Sequence, residues 1–316
     1  MHDLIEENTL GAQGRFFALG TLTGYNRLRS LGGLSPGEPN RSRREWSQGN
    51  AMNLQLMGRR ALITGSSSGI GEAIAKFLAA EGVTVIVHGR HEMRVAAVAN
   101  AISDTGGKAE IAVGDLSSDA GANAVADMAL KSGAVDILVN NAGKYGHLGW
   151  TDASPSQWAE TYEINVVSGV RMIQRLVPRM RERHWGRVIQ IGGGLANQPI
   201  SMTPDYCASL AARHNLAVSL ARELKGSGVT SNVVAPGAIL VPAVEKFFTA
   251  LSPRFGWGDQ WDAIERGAVQ DLVDNDVGRL GRPAEVAAAV AYLASPLADY
   301  VNGAVMRVDG GSIKSL

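Results

Sequence analysis

"TGSSSGIG", Thr64 to Gly71, decides how the rest of the chain is read. It follows the apolar run "ALIT" (61–64) and leads into "IGEAIAKFLAAEG" (70–82), whose apolar residues recur at helical spacing. Glycines at 65, 69 and 71 permit a tight turn, close approach of the backbone to a bound group and close packing of helix on strand. The first N–H groups of a helix lack partners, and with the positive end of its dipole they offer a seat for a pyrophosphate. A glycine-rich turn alone is a weak signal, but its place between strand and helix makes it a strong one.

Outward from this turn, short β-branched runs alternate with alanine-rich amphipathic ones. Strands are expected at 61–64, 83–88, 109–113, 136–140, 187–191, 230–235 and 304–308, and helices at 70–82, 156–183, 206–226 and 284–295. Strands apolar on both faces and separated by helices indicate an α/β fold, a doubly wound parallel sheet of seven strands with helices on both sides. Residues 52–316 read as one such domain. Residues 1–51 read as a flexible extension, polar and arginine-rich in "GEPNRSRREWSQGN" and glycine-punctuated before it, with no apolar stretch of a secretory leader. A start at Met52, just before the first strand, is the alternative.

The chain has 316 residues, 45% hydrophobic and 19% charged, with 30 basic and 30 acidic residues. That balance gives no electrostatic reason to expect nucleic acid or an anionic membrane as partner, and points to a small-molecule ligand. The one cysteine, Cys207, excludes an intrachain disulfide and fits a reducing compartment, the cytoplasm; it is expected to be a buried, inert thiol. No metal-ligand cluster is evident.

Several ordered motifs carry a family resemblance. "TGSSSGIG", "NNAG" at Asn140 to Gly143, Asn165 in the next long helix, Tyr206 about 40 residues later, "APGAI" at 235–239 and the tail "GRLGRPAEVAAAVAYLASPLADYVNGAVMRVDGG" together resemble the short-chain dehydrogenase/reductase family, a Rossmann-type fold. The resemblance covers about 260 residues, everything after the extension. It implies that Gly65, Ser66, Ser67, Ser68, Gly69 and Ile70 wrap the cofactor phosphates, and that Asp115 and Leu116 in "GDLSS" lie at the adenine end. It further implies that Asn141, Ala142 and Gly143 line the ribose, and that Pro236, Gly237 and Ile239 pass beside the nicotinamide. The second strand ends in "VHGRH", where Gly89 and Arg90 stand in place of the acidic residue of an NAD-preferring member. Arg90 suits a 2′-phosphate, so NADP(H) is favoured over NAD(H).

The same resemblance implies a Ser–Tyr–Lys set assisted by an asparagine, with tyrosine as proton donor or acceptor. Tyr206 and Asn165 are in place, but Gly193 in "IGGGLA" stands where the serine is expected and Leu210 where the lysine is expected. Residues i and i+4 share a helix face, so a lysine at 210 would favour the phenolate; leucine does not, and the tyrosine should stay a donor. Lys144, Tyr145 and His147, with Asn197, Gln198, Ser201 and Thr203, are the candidates to fill the gap, each weighed against a plain solvent-facing role; His214 is expected to pack. Glycines 192–194 should open space for a bulky substrate, and the aromatic segment 242–277 corresponds to the family's mobile loop, a candidate apolar lid. Val241 replaces a threonine expected to bond the nicotinamide amide.

The expectation is an NADP(H)-dependent oxidoreductase that reduces a carbonyl, imine or enone of a small, apolar molecule. The alternative is a catalytically weakened dinucleotide-binding homologue serving as a regulatory or partner subunit. A homodimer or homotetramer paired through helices 156–183 and 206–226 is implied by the resemblance.

Overall fold

The computed structural model describes residues 53–146 and 148–314. The expected extension, 1–51, lies outside the described residues. Seven parallel strands, β1 (Arg60–Ile63), β2 (Thr84–Gly89), β3 (Lys108–Val113), β4 (Ile137–Asn140), β5 (Gly186–Ile191), β6 (Val229–Pro236) and β7 (Val305–Val308), form one sheet in the order 3-2-1-4-5-6-7. Each lies within a residue or two of its expected position. Alternate residues of the strands supply two cores: Ile63, Val85, Val87, Val139 and Ile189 face one way, and Leu62, Ile86, Leu138 and Val188 the other.

Helices α1 (Gly69–Ala80), α2 (Glu92–Asp104) and α9 (Pro283–Ala294) cover the first face through Ile74, Leu78, Val98, Val286 and Val290. The second is covered by α3 (Asp119–Leu130) and α5 (Ser168–Glu182) through Val125, Met172 and Leu176. Burying each such side chain contributes roughly 1.5–3 kcal/mol. Strand β1 pairs with both β2 and β4, so chain order reverses there and leaves a crevice at the strand ends where a dinucleotide fits.

The helix expected over 156–183 is not continuous. It comprises α4 (Pro155–Tyr162), a π turn over Glu163–Val167, and α5. Such wide turns free a main-chain carbonyl for outside partners, and here the Asn165 carbonyl is taken by Arg213. The segment expected to be a loop, 242–277, is largely helical: α7 (Pro242–Phe255) and α8 (Trp261–Asp271) pack on their own small core of Phe248, Ile264, Ala268, Val269 and Leu280. The sequence holds the reason. Pro242 sits in the first turn, where it lacks nothing, and Gly256 ends the helix left-handed at φ 71°. Trp257 stacks on Phe255 at 4.7 Å and donates from Nε1 to Asp271 at 2.7 Å, binding α7 to α8. Phe248 is core rather than lid, while Phe247 and Phe255 remain exposed.

Candidate active site

The turn after β1 and the turn after β4 are locked to each other before any ligand is considered. Thr64 Oγ1 accepts from the N–H groups of Asn141 and Ala142, both at 3.0 Å, and the Asn141 side-chain amide donates to the carbonyls of Thr64 and Gly65 at 2.9 and 3.1 Å. This closeness is what the glycines serve. A Cβ at Gly65, which also has φ 67°, would come within 2.9 Å of Ala142 Cα, and one at Gly71 within 2.5 Å of Asn141 Nδ2. Asn141 therefore holds the site from within rather than presenting its amide to a ribose.

His88, on the last turn-facing stretch of β2, completes the lock. Its Nδ1 accepts from the Gly65 N–H at 2.9 Å and its Nε2 lies 3.2 Å from the Gly114 carbonyl, an arrangement that needs the neutral ring protonated at Nε2. Burial holds its pKa down at about 4. Ser66, expected to wrap phosphate, is turned inward: its hydroxyl donates to the Ile63 carbonyl and accepts from His88 N–H, and its own N–H goes to the His88 carbonyl. Ser66 thus braces the turn from behind, while Ser68 is exposed and caps no N–H of α1.

Gly69, left-handed at φ 61°, begins α1 together with Ile70, and a Cβ there would meet nothing nearer than Val241 Cγ1 at 3.6 Å. The helix start, with the unpaired N–H groups of its first turn, is left open there, an arrangement suited to an anion. Arg90 is exposed just past the end of β2. At Gly89 the nearest neighbour of a built Cβ is Ser67 Oγ at 2.8 Å, so any side chain there would require Ser67 to shift. Asp115 is exposed and accepts from Ser117 N–H at 2.9 Å, whereas the Leu116 side chain is buried in the second core. Gly143 is exposed beside the crevice; Gly237 passes against Asp309, and Ile239 is buried as Pro236 is.

Tyr206 lies in the first turn of α6 (Pro204–Glu223), half-buried, its ring edge-on to the exposed Tyr145 with centroids 4.8 Å apart. Thr161 on α4 donates to the buried Asp205 carboxylate at 2.6 Å and so fixes this helix start. Burial raises the Tyr206 pKa above that of a free phenol, the Arg213 guanidinium opposes the rise, and Tyr145 and Cys207 add to it. Asn165, in the π turn, accepts from Lys144 N–H at 2.6 Å and donates to the Lys144 carbonyl and Ser209 Oγ, both at 3.0 Å; Ser209 in turn donates to the Tyr206 carbonyl at 2.7 Å. Asn165 thereby ties the loop after β4 to the helix that carries Tyr206.

The three glycines after β5 do not open space. A Cβ at Gly192 would collide with His214 Nε2, one at Gly193 would lie 2.9 Å from Leu210 Cδ1, and one at Gly194 would lie 2.9 Å from Ile313. The volume expected for substrate is occupied by these three side chains, and the absence of a side chain at 193 and the leucine at 210 are two halves of one contact.

Of the candidate replacements, Lys144 extends to Glu160 at 2.8 Å on the surface, Asn197, Gln198 and Ser201 are exposed, and Thr203 is buried against Cys207. His147 lies outside the described residues. Cys207 is buried and His214 packs, as expected. The cation that sequence reading missed is Arg213, 5% exposed: Nη1 donates to the Ile191 carbonyl at 2.7 Å, and Nε and Nη2 donate to the carbonyls of Asn165 and Ala142. Its signal was legible, a charge in the middle of an alanine-rich helix, in the stripe of Tyr206 and Leu210. His88 had a similar one, a polar residue within an otherwise apolar strand.

A parallel sheet with an anion-ready turn at its switch point, and a tyrosine poised at the strand ends, defines a dinucleotide-dependent enzyme fold. A sequence model of the short chain dehydrogenase family matches residues 59–251, and the chain belongs to that family of NAD(P)-dependent oxidoreductases. It is 36% identical to an uncharacterized oxidoreductase, YvaG, of Bacillus subtilis, over 84% of this chain and all of the relative. Among solved structures it resembles L-sorbose reductase of Gluconobacter frateurii complexed with NADPH and L-sorbose, at TM-score 0.80 and 32% identity, over 84% of this chain and all of that one. It also resembles a 7α-hydroxysteroid dehydrogenase complexed with NADH and 7-oxo glycochenodeoxycholic acid, at TM-score 0.74 and 32% identity, over 84% and 98% of the two chains.

Proposed function

We propose that this oxidoreductase reduces a carbonyl, imine or enone of a small molecule with NADP(H), and that Tyr206 donates the proton. The observation that carries the reading is the half-buried Tyr206, whose pKa is raised by burial, at the crevice between the turns after β4 and β5. When bound, the reduced nicotinamide supplies a hydride to the substrate carbon. The chain does the rest. The start of α1, with Ser67 and the exposed Ser68 of the turn before it, receives the phosphates, and the exposed Arg90 after a Gly89 that carries no acidic side chain favours a 2′-phosphate. Asn165 fixes Tyr206 relative to the Gly143 turn, and the phenol hands its proton to the developing alkoxide or amide nitrogen.

A phenol with a raised pKa is protonated throughout the neutral range, so reduction should persist to alkaline pH and decline only as pH rises through that pKa. Weighing against the partner-subunit reading is the intact bracing of Tyr206 by Thr161, Asn165 and Ser209. We place the protein in the cytoplasm and expect a homo-oligomer through α4–α5 and α6, next to which a cleft is lined by Trp150, Trp158, Ile200, Ala208 and Ala211.

The test supplies NADPH with L-sorbose, a 7-oxo bile acid and panels of cyclic ketones, imines and enones, following loss of the reduced-nicotinamide absorbance. Turnover is expected on at least one class, and Tyr206→Phe should lower it by about 10²- to 10⁴-fold. NADPH binding without turnover on any class would favour the partner-subunit reading instead.

A further inference from the structure

Among the described residues, the hydrogen-bond partners of the buried Arg213 guanidinium are three main-chain carbonyls, those of Ala142, Asn165 and Ile191, and no carboxylate. A buried cation without a counter-charge is costly, and such a cost persists where the charge is used. Its position is specific. Ile191 ends β5 and Ala142 lies in the turn just past the end of β4, the two strands that flank the crevice; Asn165 is the centre of the π turn, and Nη2 lies 3.5 Å from a Cβ built on Gly143. The guanidinium therefore sits directly beneath the floor of the crevice, seven residues and two helical turns from Tyr206 on the same face of α6.

We propose that Arg213 is the cation that serves Tyr206 in place of a lysine at position 210, acting as a positioning residue from beneath the Ala142–Gly143 turn. Leu210 cannot do this, since its side chain is committed to the space above Gly193. Arg213 does two things at once. It clamps the Asn165 carbonyl, and hence the loop that Asn165 holds, and its charge stabilises the phenolate left when the Tyr206 O–H bond breaks and a new O–H or N–H bond forms on the substrate. Water then returns a proton to the phenolate.

The groups facing Tyr206 fit this role. Tyr145 and Cys207 oppose ionisation, the Asp205 carboxylate is engaged by Thr161, and Lys144 is held outward by Glu160, which leaves Arg213 as the group that favours it. In turn, Tyr206 is the group that supports the charge on Arg213, against burial that brings its pKa down to about 10.

The inference rests on the proposed role of Tyr206, and its test is independent of turnover. In the full chain labelled with [ζ-¹³C]tyrosine, with the Tyr206 resonance assigned by Tyr206→Phe, the phenol should ionise at least about one pH unit lower in the wild type than in Arg213→Gln, a tenfold change in its ionisation constant. Arg213→Lys should recover most of the difference, and so should Leu210→Lys added to Arg213→Gln. Should Arg213→Gln not fold, the wild type alone decides: the ¹³Cζ resonance of Arg213 should shift with the same midpoint as the Tyr206 phenol. Equal titration in wild type and Arg213→Gln, or an Arg213 resonance that ignores the phenol, would each overturn the inference. Failure to reduce any substrate, alongside the shift, would overturn the proposed activity and leave the role of Arg213 standing.

Discussion

Two glycine-rich turns flank the candidate site, "TGSSSGIG" after β1 and "IGGGLA" after β5, and glycine serves opposite ends in them. In the first, Gly65 and Gly71 let one backbone press against the Asn141–Ala142 turn, and the positive φ of Gly69 leaves a helix start open. In the second, Gly192, Gly193 and Gly194 make room for His214, Leu210 and Ile313, which fill it. A glycine run in a sequence records that something comes close. Whether that something is a ligand or the protein's own side chain depends on residues elsewhere, here on α6 and the last residues of the chain.

The contrast can be broken or sharpened by measurement. The largest effect is expected at the first turn, where Gly65→Ala sets a Cβ against backbone that cannot yield and imposes a left-handed φ on alanine. The loss should be about 3 kcal/mol by denaturant unfolding, with NADPH binding abolished; a loss under about 1 kcal/mol would mean that the two turns are not pressed together.

The next concerns the lock behind that turn. The folded-state pKa of His88, about 4 against an ordinary 6.5, means that the unfolded chain binds a proton the folded one refuses. Stability is therefore complete above pH 6.5 and falls as pH drops toward 4, by about 2 kcal/mol between pH 7.5 and 5 from this group. His88→Gln should flatten that part of the pH–stability curve, and an unchanged slope would count against a neutral, buried His88.

Smaller still is the effect at the exposed Arg90, where Arg90→Ala should reduce the preference for NADPH over NADH by about tenfold in fluorescence titrations. At the second turn, Gly193→Ser should cost about 1–2 kcal/mol because its Cβ meets Leu210. Combining it with Leu210→Ala should cancel part of that cost, with a coupling of at least about 0.5 kcal/mol in a double-mutant cycle. Additive costs would show the two positions to be independent.

What was legible in the sequence follows the same division. The sheet was legible because its strands are apolar on both faces and bounded by helix periods, so local pattern and tertiary role agree. The long helix over 156–183 hid its π turn because the turn is set by Arg213, 48 residues away from Asn165 in sequence. The 242–277 helices were obscured by prolines at 242 and 253, although Val244, Phe248 and Leu251 recur at helical spacing and face their own core. Among candidate site residues, Tyr206 and Asn165 were reached through the family resemblance of their motifs, whereas the inward roles of Ser66 and Asn141 depend on partners that only the folded chain brings near.

The π turn has a mechanical consequence. Thr161 before it and Met172 after it are both buried, and the wide turn between them carries an extra residue relative to an ordinary α-helix. Removing one residue between 163 and 167 would let the segment close into an ordinary α-helix, whose own hydrogen-bond ladder would take back the Asn165 carbonyl that Arg213 now holds. The length of this segment is therefore as much a part of the site as the Asn165 side chain within it.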